Sequence, residues 1–273
     1  EDITIQVTEI RKAIKELKNG RSPGPGDIPA ELIKCGSQKL FETVTWYNGS
    51  PVPDEWKIAY ISSIHKKGDK LKCENYRGIS VTSTFSRLYG RIIRDRIEKE
   101  YKDQEEEEQS GFRTGRSCTD NIFCLKQLIE KKLSTNQETH LIFIDLQKAY
   151  DTVPVNKLWN VLRQTNISVT LIKALRNLYE GSTSQIKTGN RLSQSFLVNK
   201  GLRQGCCVSP TLFKIYVAKA LKEWKRKCRG MGVDLGEICL YTLQFADDQV
   251  VIANDKDNLE YMARNYKKNI ESD

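Results

Sequence analysis

Histidine is nearly absent from this chain of 273 residues, with only His65 and His140 present, and the eight cysteines contain no C-x-x-C pair. Without paired thiols at ligand spacing or a histidine cluster, a structural zinc site is excluded. Thiols scattered in this way read as reduced residues of an intracellular protein, several of them small apolar core positions. Also missing is any apolar run approaching the ~20 residues that a membrane helix needs. Glu1-Asp2-Ile3-Thr4 carries no signal-peptide pattern, so neither a membrane partner nor export is expected. What the chain does have is positive charge. It carries 44 Lys and Arg against 35 Asp and Glu, a formal net charge of +9, and its pI is near 9.0. That balance favours a polyanionic partner, although it also serves solubility and does not separate nucleic acid from an anionic surface. The length allows a substantial core, as one large domain or two lobes.

The most informative segment is Phe245-Ala246-Asp247-Asp248, set between the apolar runs Leu240–Leu243 and Val250–Ala253. It places adjacent carboxylates where a strand turns back on itself. Acids at such a tip repel each other unless a divalent cation sits between them and an incoming phosphate. Two solvated residues of an ordinary hairpin turn are the competing reading. Upstream, His140-Leu141-Ile142-Phe143-Ile144-Asp145 is a short run of β-formers that ends on an acid, as a buried strand delivering a carboxylate to a sheet edge would. If the two strands are neighbours, Asp145 joins Asp247 and Asp248 in a cluster able to hold two Mg²⁺ ions ~4 Å apart. A helix N-cap is the alternative for Asp145. Asp151 or Thr152 would fill that role more naturally for a helix starting near Pro154-Val155.

Three segments now carry a resemblance. Ile144–Val153, Gly201–Phe213 and Phe245–Asp248 resemble motifs A, B and C of reverse transcriptases, in that order along the chain. Asn75–Ser80 and Gln109–Ser117 are similar to the finger motifs of the non-LTR, LINE-like retrotransposon group. The resemblance implies an α+β right-hand polymerase whose palm carries the acids on an antiparallel sheet. It implies Asp145, Asp247 and Asp248 as catalytic and metal-binding residues, with Leu146 added to the metal set, and Mg²⁺ (or Mn²⁺) as cofactor. The partners it implies are an RNA template, a DNA primer and dNTPs, with a location in nucleus and cytoplasm. The expected division is an N-terminal extension over 1–55, fingers over 56–135 and a palm over 136–273, with a fingers-side helical segment at about 155–195. No thumb is assignable after motif C, where Asn258–Asp273 reads as a short helix. A decayed or repurposed fragment that binds nucleic acid without turnover is the alternative function.

Along the chain, Val7, Ile10, Ile14 and Leu17 recur at helical spacing, with Asn19-Gly20 as the stop. Ser22–Pro29 resembles the Pro-Gly-Pro segment of LINE-like enzymes, except that Gly26 precedes Asp27 where the usual order is reversed. Between Leu40 and Pro53 the connection is short and broken by Asn48-Gly49-Ser50-Pro51, which suggests a deletion. From Trp56 to Ile64 the alternation predicts a strand, followed by a basic tip at His65–Lys70 that either closes over a triphosphate or is a solvated loop. By resemblance Arg77 binds the incoming nucleotide's phosphates, with Lys66 or Lys67 assisting. Phe85–Tyr101 is helical in pattern and arginine-rich, which suits either phosphate tracking or pairing with Glu98 and Glu100.

Glu105–Glu108 reads as a solvated, helix-starting run without chemistry. Gly111, Phe112, Arg113 and Arg116 combine flexible backbone, an aromatic face and guanidinium charge. They suit a template strand, and a purely structural loop is the other reading. Phe245 and Ala246 join the template and primer set by resemblance. Tyr150 is by resemblance the steric gate that excludes a 2′-hydroxyl, and otherwise a core tyrosine. In the glycine-rich turn before the helix capped by Ser209, Gln204 and Gly205 line the base and template by resemblance, with Gly205 allowing close approach of backbone. Cys206-Cys207 reads as small-residue packing.

Overall fold

The computed structural model of the protein describes residues 4–36, 52–146 and 148–272. The break expected at Asn48–Pro51 lies outside them, as does Gln147 of motif A. Among the described residues the strands are β1 (Ile58–His65), β2 (Tyr76–Thr82), β3 (His140–Asp145), β4 (Thr183–Thr188), β5 (Arg191–Leu192), β6 (Phe196–Leu197), β7 (Val233–Asp234), β8 (Cys239–Leu240), β9 (Thr242–Phe245) and β10 (Asp248–Ala253). With the intervening helices they make an α+β chain that divides into two compact units. One takes residues 1–102, 150–155 and 162–209; the other takes 103–149, 156–161 and 210–273.

The first unit is built on a sheet in the order β2-β1-β4-β5, with β6 also paired to β4. β1 and β2 form the predicted hairpin, in register from Ala59 opposite Thr82 to His65 opposite Tyr76, and β4 runs parallel to β1. The expected helical segment at about 155–195 is therefore helical only in the stretches Val155–Arg163 and Val169–Tyr179. Beyond these it pairs as β4, β5 and β6. Thr183-Ser184-Gln185-Ile186 is half β-branched and Gly189 supplies a turn, a strand signal that a helical reading overlooks.

The Thr84–Tyr101 helix starts where Ser83 Oγ accepts from the Ser86 N–H at 3.2 Å. It buries Leu88, Ile92, Ile93 and Ile97. Three of its arginines pair closely with carboxylates other than Glu98 and Glu100. Arg96 grips Glu9 and Arg91 pairs with Glu16 of the N-terminal segment, while Arg94 pairs with its neighbour Asp95. The Val7–Lys15 helix thus docks by charge as well as by Ile10, Ala13 and Ile14.

The second unit carries the antiparallel sheet β3-β10-β9 and the small β7-β8 pair. Leu128, Val233, Leu240, Leu243, Val250 and Ile252 close one core beneath the Cys118–Ser134 helix, each fully buried side chain worth about 1.5–3 kcal/mol by area. That helix is opened by a reciprocal capping box between Ser117 and Asp120. From the Ser209–Lys227 helix, fully buried Trp224 donates to the Met262 carbonyl at 2.9 Å and meets the Tyr266 ring edge-on. Ser209 does not act as the expected cap: its hydroxyl turns back to donate to the Arg203 carbonyl at 2.8 Å. All eight cysteines are free, and only Cys228 is buried, so small-residue core packing accounts for one thiol rather than several. Among the described residues no helix is long and apolar enough to cross a membrane.

Candidate active site

β9 and β10 are joined by Ala246 and Asp247 alone, since Asp248 already pairs with Phe245. On its other side β10 pairs with β3, and Asp248 stands directly opposite Asp145. Directly opposed residues of an antiparallel pair project to one face with Cβ atoms about 4.5–5.5 Å apart, so the two carboxylates share a face beside Asp247 in the turn. Asp145 and Asp248 are exposed and Asp247 is half-buried. Among the described residues no hydrogen bond or ion pair engages the side chain of any of the three.

The same register puts Phe143, Leu141, Val250, Ile252, Leu243 and Phe245 on the aspartate face. Core covers most of these, whereas Phe143, one pleat from Asp145, is 72% exposed. Three hard oxygen donors with no competing cation are the ligand chemistry of Mg²⁺ or Mn²⁺. Among the described residues no group of three His, Cys, Asp or Glu side chains is gathered closely enough to hold a metal as it stands. The fit therefore rests on donor type and on the Asp145–Asp248 register. Leu146 follows Asp145 directly and is half-buried.

Ala246 has φ +62°, the left-handed region, which costs a non-glycine residue roughly 1–2 kcal/mol. It is held there by Gln109. The Ala246 N–H donates to Gln109 Oε1 at 3.0 Å, and Gln109 Nε2 donates to the Ala246 carbonyl at 3.2 Å. Gly111 lies so close that a Cβ on it would meet the Ala246 nitrogen at 2.1 Å. The loop read as a template grip is therefore first a support for the aspartate turn. Phe112, at φ +57°, is exposed.

Arg113 is not a free guanidinium. It pairs with Glu105 and Glu107, donates to the Glu106 carbonyl at 3.0 Å, and its side chain is 13% exposed. Arg116 pairs with Glu107 as well, and the Arg113 hydrogen bond holds the Glu107 carboxyl below its ordinary pKa. The acidic run does not start a helix, and of its members only Glu107 stays exposed, Glu105, Glu106 and Glu108 being half-buried. Glu105 also meets Lys214, and Glu106 and Glu108 meet Lys225, both lysines on the Ser209–Lys227 helix. Helix propensity and charge alone pointed the wrong way here, because the partners lie about a hundred residues further on.

Tyr150, Gln204, Gly205, Lys66 and Arg77 fall in the first unit and the three aspartates in the second. The Tyr150 carbonyl accepts from the Leu202 N–H at 2.7 Å. Gln204 donates from Nε2 to Asp151 at 2.8 Å, and its carbonyl accepts from the Ser80 N–H at 2.7 Å. Gly205, at φ +96°, faces Ile79 and Ser80 so closely that a Cβ would lie 3.0 Å from the Ile79 methyl. The close approach that glycine permits is thus to β2. Arg203, missed in the sequence reading, anchors this loop: its guanidinium donates to the Lys57 and Leu178 carbonyls and to Ser182 Oγ, and lies over the Tyr179 ring. Lys66 is exposed at the hairpin tip, where its N–H donates to the Asn75 carbonyl. Arg77 is exposed on β2, and among the described residues no side-chain hydrogen bond or ion pair engages it.

This architecture is similar to that of telomerase. It matches the telomerase of Candida tropicalis in complex with a fragment of telomeric RNA at a TM-score of 0.59, with 14% identity, over 89% of this chain and 43% of that one. The truncated apo telomerase of the same organism matches at 0.55. At the sequence level the profile described as reverse transcriptase (RNA-dependent DNA polymerase) matches residues 64–272, and the chain belongs to that family. Its relatives are of the non-LTR retrotransposon kind. The 149 kDa protein of transposon TX1 from Xenopus laevis is 23% identical over 94% of this chain and 20% of its own length. A probable RNA-directed DNA polymerase from transposon BS of Drosophila melanogaster is 27% identical over 78% of this chain and 24% of its own length. The chain thus spans about a fifth to a quarter of the curated relatives it matches.

Proposed function

We propose that this chain performs RNA-directed DNA synthesis, adding deoxynucleotides to a DNA primer 3′ end along an RNA template in the course of retrotransposition. The observation that carries this reading is the pairing of Asp145 with Asp248 across β3 and β10, beside Asp247 and with side chains free of protein partners among the described residues. Reverse transcriptases use divalent metal ions; here Mg²⁺ or Mn²⁺ would be held by Asp145, Asp247, Asp248 and Leu146. Bound there, it would lower the pKa of the primer 3′-hydroxyl and neutralise charge on the leaving pyrophosphate.

The protein's own groups do the rest. Arg77 and Lys66 bind the triphosphate, a task suited to the forked guanidinium of Arg77. Tyr150 lies under the sugar and excludes a 2′-hydroxyl, while Gln204 and Gly205 line the base. Gly111, Phe112 and Arg116, with Phe245 and Ala246, contact template and primer, stacking and charge giving a sequence-tolerant grip. Arg113 supports that loop from within through Glu105 and Glu107.

The test is primer extension on an RNA template with dNTPs and Mg²⁺ or Mn²⁺. The parent chain extends the primer, and Asp247→Ala and Asp248→Ala do not. Nucleic-acid binding without extension by the parent would replace this reading with that of a binding module.

A further inference from the structure

We propose that Gln109 is a positioning residue for the catalytic turn, its side-chain amide locking Ala246 in a left-handed conformation and so fixing the direction of Asp247 and Asp248. This rests on the polymerase reading above only for its catalytic consequence; the clamp itself stands on geometry. A single planar amide contacts both backbone groups of Ala246. Oε1 accepts from the Ala246 N–H at 3.0 Å and from the Gly111 N–H at 2.8 Å, while Nε2 donates to the Ala246 carbonyl and to Gln244 Oε1, each at 3.2 Å. Gln109 is 4% exposed, so its amide makes these bonds shielded from solvent.

The arrangement needs a donor and an acceptor on one rigid group at glutamine length. Glutamate lacks the donor and would set a buried charge beside the aspartates, and asparagine is one methylene short.

The clamp is anchored in turn. The Gln109 backbone bridges in parallel to Gln244 of β9. The Gln244 N–H donates to the Glu108 carbonyl at 2.8 Å, and the Ser110 N–H donates to the Gln244 carbonyl at 2.9 Å. Asn121 Nδ2 donates to that same carbonyl at 2.7 Å, and Ser110 Oγ donates to Asn121 Oδ1 at 2.7 Å. Glu106 and Glu108, both just before this bridge in the chain, are tied to Lys225. A turn with a non-glycine residue at positive φ is thereby held by a scaffold that touches neither aspartate. A strained position kept by surrounding structure is a recurrent feature of sites whose geometry matters.

If Gln109 works through Ala246, the defect caused by its loss is repaired by a residue that adopts positive φ without strain. The experiment compares the parent, Gln109→Ala, and Gln109→Ala combined with Ala246→Gly. It measures amide hydrogen exchange at the turn, and kcat and KM for one nucleotide addition. In Gln109→Ala, exchange at Ala246 accelerates and kcat falls by about tenfold or more, as misplaced reacting groups do. The nucleotide KM stays within about twofold, the signature of an interaction expressed in the transition state. Adding Ala246→Gly restores most of kcat. Should Gln109→Ala not fold, Gln109→Asn, whose shorter amide does not reach the turn, takes its place in the comparison.

Unchanged exchange at Ala246, or a kcat loss that glycine does not repair, overturns the proposal. A parent that protects Ala246 through Gln109 yet extends no primer overturns the polymerase reading and leaves the clamp standing.

Discussion

Tyr150, proposed above as the residue that excludes a 2′-hydroxyl, is held through its backbone. Its carbonyl accepts from the Leu202 N–H, and three residues on, the Val153 carbonyl accepts from the Gly201 N–H, so backbone hydrogen bonds tie the Tyr150 segment to the start of the Gly201–Gly205 loop. Gly201 must be glycine because a Cβ would lie 2.9 Å from the Asp151 carbonyl oxygen at φ +89°. If the Tyr150 ring is the sugar gate, Tyr150→Ala raises the ratio of ribonucleotide to deoxynucleotide kcat/KM by on the order of 10- to 100-fold, the range available to a steric contact of this size. Competitive single-nucleotide incorporation measures that ratio, and an unaltered value removes the assignment. At this scale the aspartates were legible as candidates because Asp145 ends one apolar strand and Asp248 begins another, with Asp247 in the turn beside it. Gln109 was not: its motif was visible, but nothing in a lone glutamine reports that it bonds the backbone of a residue far along the chain. Arg113 was misread for a related reason, its acidic partners resembling a solvated run until the fold brought Lys214 and Lys225 to them.

Among elements, those with a strong period matched their expectation. The β1–β2 hairpin, the Thr84–Tyr101 helix and the β9–β10 hairpin all lie where alternation or helical spacing placed them. β4, six residues long, carries a strand signal that the helical reading overlooks, whereas the two-residue β5 and β6 carry no period of their own and exist only through pairing with β4.

The N-terminal Val7–Lys15 helix adds a dependence that periodicity does not show. Two hydrogen bonds from Arg96 hold the Glu9 carboxylate, at 2.7 and 2.6 Å, and this pair is the main cause of a Glu9 pKa below its ordinary 4.5. A folded-state pKa lower than the unfolded one stabilises docking fully above pH 4.5, and that contribution is lost as the pH falls through the depressed value. Protection factors of the Val7–Lys15 amides should accordingly decline in that acid window in the parent and decline less in Glu9→Gln, where the Lys12–Asp95 pair is the remaining acid-sensitive contact. A matching decline in both chains would assign the effect to another group.

For the whole molecule, the net charge of +9 suits a polyanionic partner, yet many of its basic side chains are internally engaged. Arg91, Arg94, Arg96, Arg113, Lys214 and Lys225 all pair with acids within their own compact unit. Net charge therefore overstates the number of cations open to phosphate, and the count that matters is of exposed groups such as Arg77 and Lys66. The aspartate trio belongs wholly to the second unit, so the cation site proposed for it would be built by that unit's sheet and turn.

The most direct test of the account is Mn²⁺ binding, followed by electron paramagnetic resonance on the parent chain with a primer annealed to an RNA template, beside Asp145→Asn and Asp248→Asn. The account predicts bound Mn²⁺ in the parent and a marked loss of binding in each variant, because β3 and β10 set the two carboxylates on one face. Equal Mn²⁺ binding by the parent and Asp145→Asn would contradict it.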